Sequence, residues 1–166
     1  VASANCALYC GAEIDFVDID EETSNISIEC LIVKLKYAKK IGKLPKVIIP
    51  VHLSGELCDM ASIKELSDLY GFKVIEDASH AVGGRYKDTA VGATVYSDVT
   101  ILSFHPVKII TTGEGGAALT NSAKIDQKCL KRTKIHIVSY RTCYIWQDAL
   151  SLRSANDGTP RRPCTQ

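Results

Sequence analysis

The 166-residue chain has one methionine, one tryptophan and three phenylalanines, and it contains no apolar run near the ~18 to 20 residues that span a bilayer. No membrane-spanning helix is therefore expected. It also lacks any G-x-G-x-x-G or Walker sequence, which weighs against a dinucleotide or ATP site. Charge of one sign is missing too. Twenty Lys and Arg face 19 Asp and Glu, and a net charge of +1 gives no general attraction to nucleic acid or an anionic membrane. The seven cysteines (Cys6, Cys10, Cys30, Cys58, Cys129, Cys143 and Cys164) include no C-x-x-C pair, so neither a zinc ribbon nor a redox dithiol is expected. Free, partly buried thiols are the reading, with Cys6 and Cys10 as two small core residues one helical turn apart rather than a metal or disulfide pair. The first residues have neither the basic start nor the apolar core of a signal peptide, so the expected location is cytoplasmic. Because the chain opens at Val1 in helix-like sequence, it reads as a portion of something longer.

What is present is the composition of one globular domain, 46% hydrophobic and 23% charged. Periodicity predicts a helix over 2–10, broken by Gly11, and a strand over 13–17 closed by Asp18 and Asp20. Apolar Ile28, Leu31, Ile32 and Leu35 mark a helix whose last turns carry Lys34, Lys36, Lys39 and Lys40, where the helix dipole favours cations. Gly42 and Pro45 end it. The apolar centre of 46–51 predicts a strand buried on both faces. A helix capped by Asp59 runs to Tyr70 and stops at Gly71. Strands follow at 73–76 and 98–104, joined by a glycine-rich connection, and 116–119 forms a last short strand of unassigned direction. Strand and helix alternate, which argues for an α/β fold with a mainly parallel sheet flanked by helices.

In such sheets ligands collect beyond the carboxyl ends of the strands. Two segments sit there. One, Val74-Ile75-Glu76-Asp77-Ala78-Ser79-His80-Ala81, places Asp77 and His80 after a strand; the other, Ile101-Leu102-Ser103-Phe104-His105-Pro106-Val107-Lys108, does the same for Ser103, His105 and Lys108. Each residue alone has an ordinary structural explanation: a helix cap for Asp77, a hydrogen-bonded ring for either histidine, a solvated surface amine for Lys108. His52, in Pro50-Val51-His52, reads as structural at a strand end; His105-Pro106 reads as shaping the turn that bears Lys108, with a contact from His105 to substrate an equal alternative.

Taken together with Ala2-Ser3-Ala4-Asn5, Val17-Asp18-Ile19-Asp20 and Glu114-Gly115-Gly116, these segments resemble the DegT/DnrJ/EryC1/StrS family of pyridoxal-phosphate sugar aminotransferases. The resemblance covers about residues 1–124. It implies part of the large domain of a fold-type I pyridoxal-phosphate transferase, with pyridoxal 5'-phosphate as cofactor. Lys108 then matches the lysine that forms a Schiff base with the cofactor aldehyde and afterwards moves a proton at the reacting carbon. Asp77 matches the carboxylate that keeps the pyridine nitrogen protonated, so that the ring takes up electrons more readily. His80 matches a position beside the ring, and Ser103 one that hydrogen-bonds the phosphate. The implied substrates are a nucleotide-linked 4-keto-6-deoxy sugar and, as amino donor, glutamate, with a homodimer for the complete enzyme. Within the family the wording lies nearest to members of pseudaminic-acid biosynthesis, a surface-glycan route.

Two other readings stand beside it. Family dehydratases typically carry histidine at the lysine position, so Lys108 favours transamination; a non-catalytic α/β fragment of the same origin would have no cofactor affinity. Residues 1–134 are read as the partial cofactor-binding domain. From about Ile135 no period is sustained, and the turn residues and arginines of 156–163 predict a divergent, poorly ordered tail over 135–166.

Overall fold

The computed structural model describes residues 1–132, 137–138 and 143–146. Helix α1 spans Ala2–Tyr9, α2 Ile28–Lys40, α3 Met60–Tyr70 and α4 Ala123–Arg132; the strands are β1 (Val47–Ile48), β2 (Lys73–Asp77), β3 (Arg85–Tyr86), β4 (Thr89–Ala90), β5 (Val99–Ser103), β6 (Gly116–Leu119), β7 (Ile137–Val138) and β8 (Cys143–Trp146). One sheet has the order β1-β2-β5-β6-β8-β7, and β3 with β4 makes a separate hairpin. The sheet is parallel through β1, β2 and β5, the part expected to carry the site. Strand β6 runs antiparallel to β5, as β8 does to β6. The expectation of a tail over 135–166 lies outside the described residues apart from β7 and β8.

The two long helices begin and end as their sequences dictate. Ser27 caps α2 by accepting the Cys30 amide at 3.2 Å, and Asp59 caps α3 by accepting the Ser62 amide at 3.2 Å. Gly71 then stops α3 in the left-handed conformation, φ +81°, which costs a residue without a Cβ little. From α2, Leu31 and Leu35 meet Met60, Ile63 and Leu66 of α3 and Val74 of β2 to form the core, closed by Phe72. Along β2 burial alternates. Val74 and Glu76 face this core, whereas Ile75 and Asp77 face the other side of the sheet.

Three expectations need correcting. Residues 13–17 form no strand, and at their centre the Asp15 carboxylate accepts the Phe16 amide at 2.8 Å, a donor that a ladder would otherwise use. The strand at 46–51 is paired only at Val47–Ile48 and through a bridge from Val51 to Asp77. It buries one face, that of Ile48, Pro50 and His52, while Val47 lies 42% exposed at the sheet edge; Pro50 has no amide to give. Finally, Cys6 and Cys10 are exposed rather than in the core; Cys30 is exposed too, Cys129 is half-buried and Cys58 is buried. The glycine-rich connection, meanwhile, holds the β3–β4 hairpin, whose Lys87 takes φ +51° in its two-residue turn.

Candidate active site

Register brings the two predicted segments to one place. In the parallel pair, Asp77 lies opposite Ile101, so Ser103, two residues further along β5, projects on the same face as Asp77 and one step beyond it. The preceding pair, Glu76 and Thr100, faces the opposite side and is joined there by a hydrogen bond of 2.6 Å from Thr100 Oγ1 to Glu76 Oε2. On its other edge Ser103 pairs with Gly116, which has no side chain. Among the described residues, Ser103 Oγ accepts only a long bond, 3.5 Å, from the His105 amide.

Asp77 is half-buried and well supplied with donors. Ser3 Oγ donates to its Oδ2 at 2.7 Å, and the Ser79 amide donates to Oδ1 at 3.2 Å. Burial pushes the carboxyl up, but the hydrogen bonds from Ser79 and Ser3, with His80 nearby, outweigh it and hold Asp77 below the usual carboxylate range. The group is a carboxylate at neutral pH. Its backbone is fixed as well, with the amide donating to Pro50 O at 2.9 Å and the carbonyl accepting from His52 N at 3.1 Å.

His80 stands in the turn after β2, where the Ser54 amide donates to its Nδ1 at 3.2 Å. In the neutral ring Nε2 then carries the proton. This contact depends on a tight turn at 53–55. Ser54 has φ +55° and Gly55 φ +93°, and a Cβ on Gly55 would come within 3.1 Å of the His80 carbonyl oxygen.

Lys108 lies in a loop that leaves β5 at Phe104 and returns to it. Phe104 O accepts both the Thr112 amide and Thr111 Oγ1 at 3.1 Å, and the Lys108 amide donates to His105 O at 2.9 Å. His105 Nε2 stands 3.7 Å from Glu114 Oε1 across the same loop, consistent with a turn-shaping histidine. The Lys108 side chain is partly exposed, and among the described residues its amine has no hydrogen-bond or ion-pair partner.

His52 is structural, as expected. Its Nδ1 accepts the Cys58 amide at 3.2 Å and its Nε2–H donates to Glu76 Oε1 at 2.9 Å, within the core. The sequence reading assigned no role to Ser3, Ser54, Gly55 or Ser79. Ser54-Gly55 carries the turn signal of a Ser-Gly pair; nothing local announces that Ser3 meets a carboxylate 74 positions away.

What this strand end offers a ligand is chemically specific. A carboxylate suits a protonated ring nitrogen, a hydroxyl suits a phosphate, and an unpartnered amine suits an aldehyde; pyridoxal phosphate carries all three, so the residues fit that cofactor. The fold is that of pyridoxal-phosphate-dependent aminotransferases. More narrowly, the chain belongs to the DegT/DnrJ/EryC1/StrS aminotransferase family, whose model matches residues 1–149. That match extends beyond about residue 124, the limit of the resemblance read from the motifs.

The chain is similar to GDP-perosamine synthase of Vibrio cholerae, 34% identical over 151 residues, covering 91% of this chain and 38% of that protein. Among solved structures, PseC of Helicobacter pylori, an aminotransferase of pseudaminic-acid biosynthesis, superposes with a TM-score of 0.71 at 29% identity, over 84% of this chain and 35% of PseC. NtdA of Bacillus subtilis, solved with bound cofactor PMP, gives a TM-score of 0.64 at 31% identity, over 78% of this chain and 27% of that one. The chain thus spans between 32% and 38% of the length of the curated relatives it matches.

Proposed function

We propose that the whole protein is a pyridoxal-phosphate-dependent aminotransferase that moves an amino group, from glutamate, onto a nucleotide-linked 4-keto-6-deoxy sugar for surface-glycan synthesis. The observation that carries this reading is the ionised Asp77 at the end of β2, sharing a sheet face with Ser103 of β5. When bound, pyridoxal phosphate would supply an aldehyde for covalent attachment and a ring that takes up an electron pair. Asp77 would hold the proton on the ring nitrogen, Ser103 would donate to the phosphate, and His80 would flank the ring. Lys108 would offer its amine for attachment and would act as the base that moves a proton from the amino donor's α-carbon to the former aldehyde carbon of the cofactor.

The relatives named above support a sugar substrate and leave its identity between a GDP-linked sugar and one of the pseudaminic-acid type. Our reading takes the latter, a UDP-linked N-acetylhexosamine, and a cytoplasmic homodimer. The test incubates the whole protein with the cofactor, glutamate and either UDP- or GDP-linked 4-keto-6-deoxy sugar, following 2-oxoglutarate and the aminated product by mass spectrometry. Product with the UDP substrate is expected. Product only with the GDP substrate would move the assignment to a perosamine-type sugar, and no product with any keto sugar would sink the function.

A further inference from the structure

The Asp77 carboxylate offers four lone-pair positions on two oxygens. Two are taken. Ser3 Oγ occupies one on Oδ2 at 2.7 Å and the Ser79 amide one on Oδ1 at 3.2 Å, so the two donors grip the group from either side. Ser79 belongs to the same turn and would follow Asp77 through any local movement. Ser3 does not, because it stands in the first turn of α1, an element that reaches the sheet end from another part of the chain. Helix α1 buries no residue, so a contribution of Ser3 to the apolar core does not account for this contact.

We propose that Ser3 is a positioning residue for Asp77, its hydroxyl fixing the orientation of the carboxylate so that the remaining lone pairs face the ligand. The proposal deepens the functional reading above, on which its relevance to catalysis rests. The ionisable groups about the carboxylate are few. His80 shares the turn after β2 and acts on the charge of Asp77. On α1, Cys6 gives its Sγ–H to Ser3 O at 3.1 Å and leaves the serine hydroxyl to Asp77. Glu76 and His52 lie across the sheet, where they bond one another. Ile101, opposite Asp77 on β5, is apolar. Among these, the serine hydroxyl is the side-chain donor that comes from outside the Asp77 turn.

The experiment uses the 166-residue chain with 13C-labelled aspartate carboxyls, the Asp77 resonance being identified by its loss in Asp77→Asn. Its titration is followed in the parent, Ser3→Ala and Ser3→Thr. Alanine is the better helix former, so α1 keeps its conformation and only the hydroxyl is lost; circular dichroism of each variant checks this. Ser3→Ala should raise the midpoint, weakening the acid roughly tenfold, as loss of one charge-assisted hydrogen bond requires. Ser3→Thr, which restores the hydroxyl, should bring it back. An unchanged midpoint in Ser3→Ala would overturn the proposal, and so would an equal rise in both variants, since that would trace the effect to packing of α1. A separate pyridoxal-phosphate titration with borohydride trapping on the parent chain keeps the two readings apart. Trapping at some lysine other than Lys108 would overturn the site assignment, while a serine-dependent midpoint would still support the coupling of Ser3 to Asp77.

Discussion

His52 gives its Nε2–H to Glu76 Oε1 at 2.9 Å inside the core, one residue before Asp77. The two consecutive acids of β2 therefore have opposite tasks. Glu76 faces the core and accepts three hydrogen bonds, with Thr100 and Ser97 donating to its second oxygen at 2.6 and 2.9 Å. Asp77 faces the site and keeps lone pairs free. A buried carboxylate left unpaired would be costly; Thr100 and Ser97 tie β2 to β5 and its approach, and His52 ties β2 to the segment that follows β1.

Replacing Glu76 by Gln puts an amide NH2 among groups that are already donors. We expect a loss of about 2–3 kcal/mol, the range for hydrogen bonds to a charged group and for an unsatisfied buried donor. Burial pushes the Glu76 carboxyl up, but the bonds from His52, Thr100 and Ser97 pull it further down, and the net direction is below its ordinary 4.5. A carboxyl lowered in the fold stabilises it fully above the unfolded-state value, and that contribution disappears as pH falls through the folded value. Urea midpoints measured from pH 7 to pH 3 should fall for the parent chain and fall less steeply for Glu76→Gln. Equal slopes would show that Glu76 is not the group responsible.

Gly55→Ala tests the turn that holds His80. Its φ of +93° is costly for any residue with a Cβ, and the new atom would press on the His80 carbonyl at 3.1 Å, a backbone neighbour with little room to yield. The expected loss is about 1–3 kcal/mol, the usual cost of a residue forced into such a conformation. Thermal unfolding reads the stability. If the turn sets the ring of His80, cofactor affinity in the whole protein should drop in the same variant by more than in Gly42→Ala, a control turn with nothing within 4 Å of the added atom.

Legibility from sequence followed the range of the interactions. Helices α2 and α3 were readable because their caps, apolar stripes and stops lie within a few residues of each other: Ser27 and Asp59 at one end, Gly42 and Gly71 at the other. Asp77 and Ser103 were legible as strand-end residues, and parallel pairing then supplied their common face. What could not be read depended on distant partners or on their lack. The 13–17 segment alternates like a strand, yet the Asp15 carboxylate claims the Phe16 amide at its centre. The hydroxyl of Ser3 and the ring of His80 gain meaning only from contacts 74 and 26 positions away.

A tyrosine hydroxyl links the hairpin missed by sequence to the start of α3. Tyr86 Oη donates to Asp59 Oδ1 at 2.6 Å and accepts the Ala61 amide at 3.3 Å, so the residue that caps α3 also receives the hairpin. Tyr86→Phe should cost about 1 kcal/mol and Asp59→Ala about 0.5–2 kcal/mol, from the lost bond and the lost cap. Because both remove the same bond, the double variant should cost less than the two singles together. Denaturant midpoints of the four chains close the cycle, and strict additivity would show that the contact contributes nothing.

Lys108 and Asp77 are separable by experiment in the whole protein. Lys108→Ala removes both the amine to which the cofactor attaches and the base that moves the proton. Borohydride should then fix no cofactor to the chain, and turnover should fall by at least the ~10² to 10⁴-fold that a positioned base contributes. Asp77→Asn leaves the amine in place. Trapping on Lys108 should persist, located by mass spectrometry of the peptide, while turnover falls because the amide no longer holds the ring proton by charge. Combining the two should not multiply the losses, since both act on one proton transfer. Single-turnover amination and peptide mapping of the trapped product read the two effects independently. Cofactor trapped in Lys108→Ala with turnover near that of the parent would mean that another lysine is the base, and the strand-end assignment of the site would fail with it.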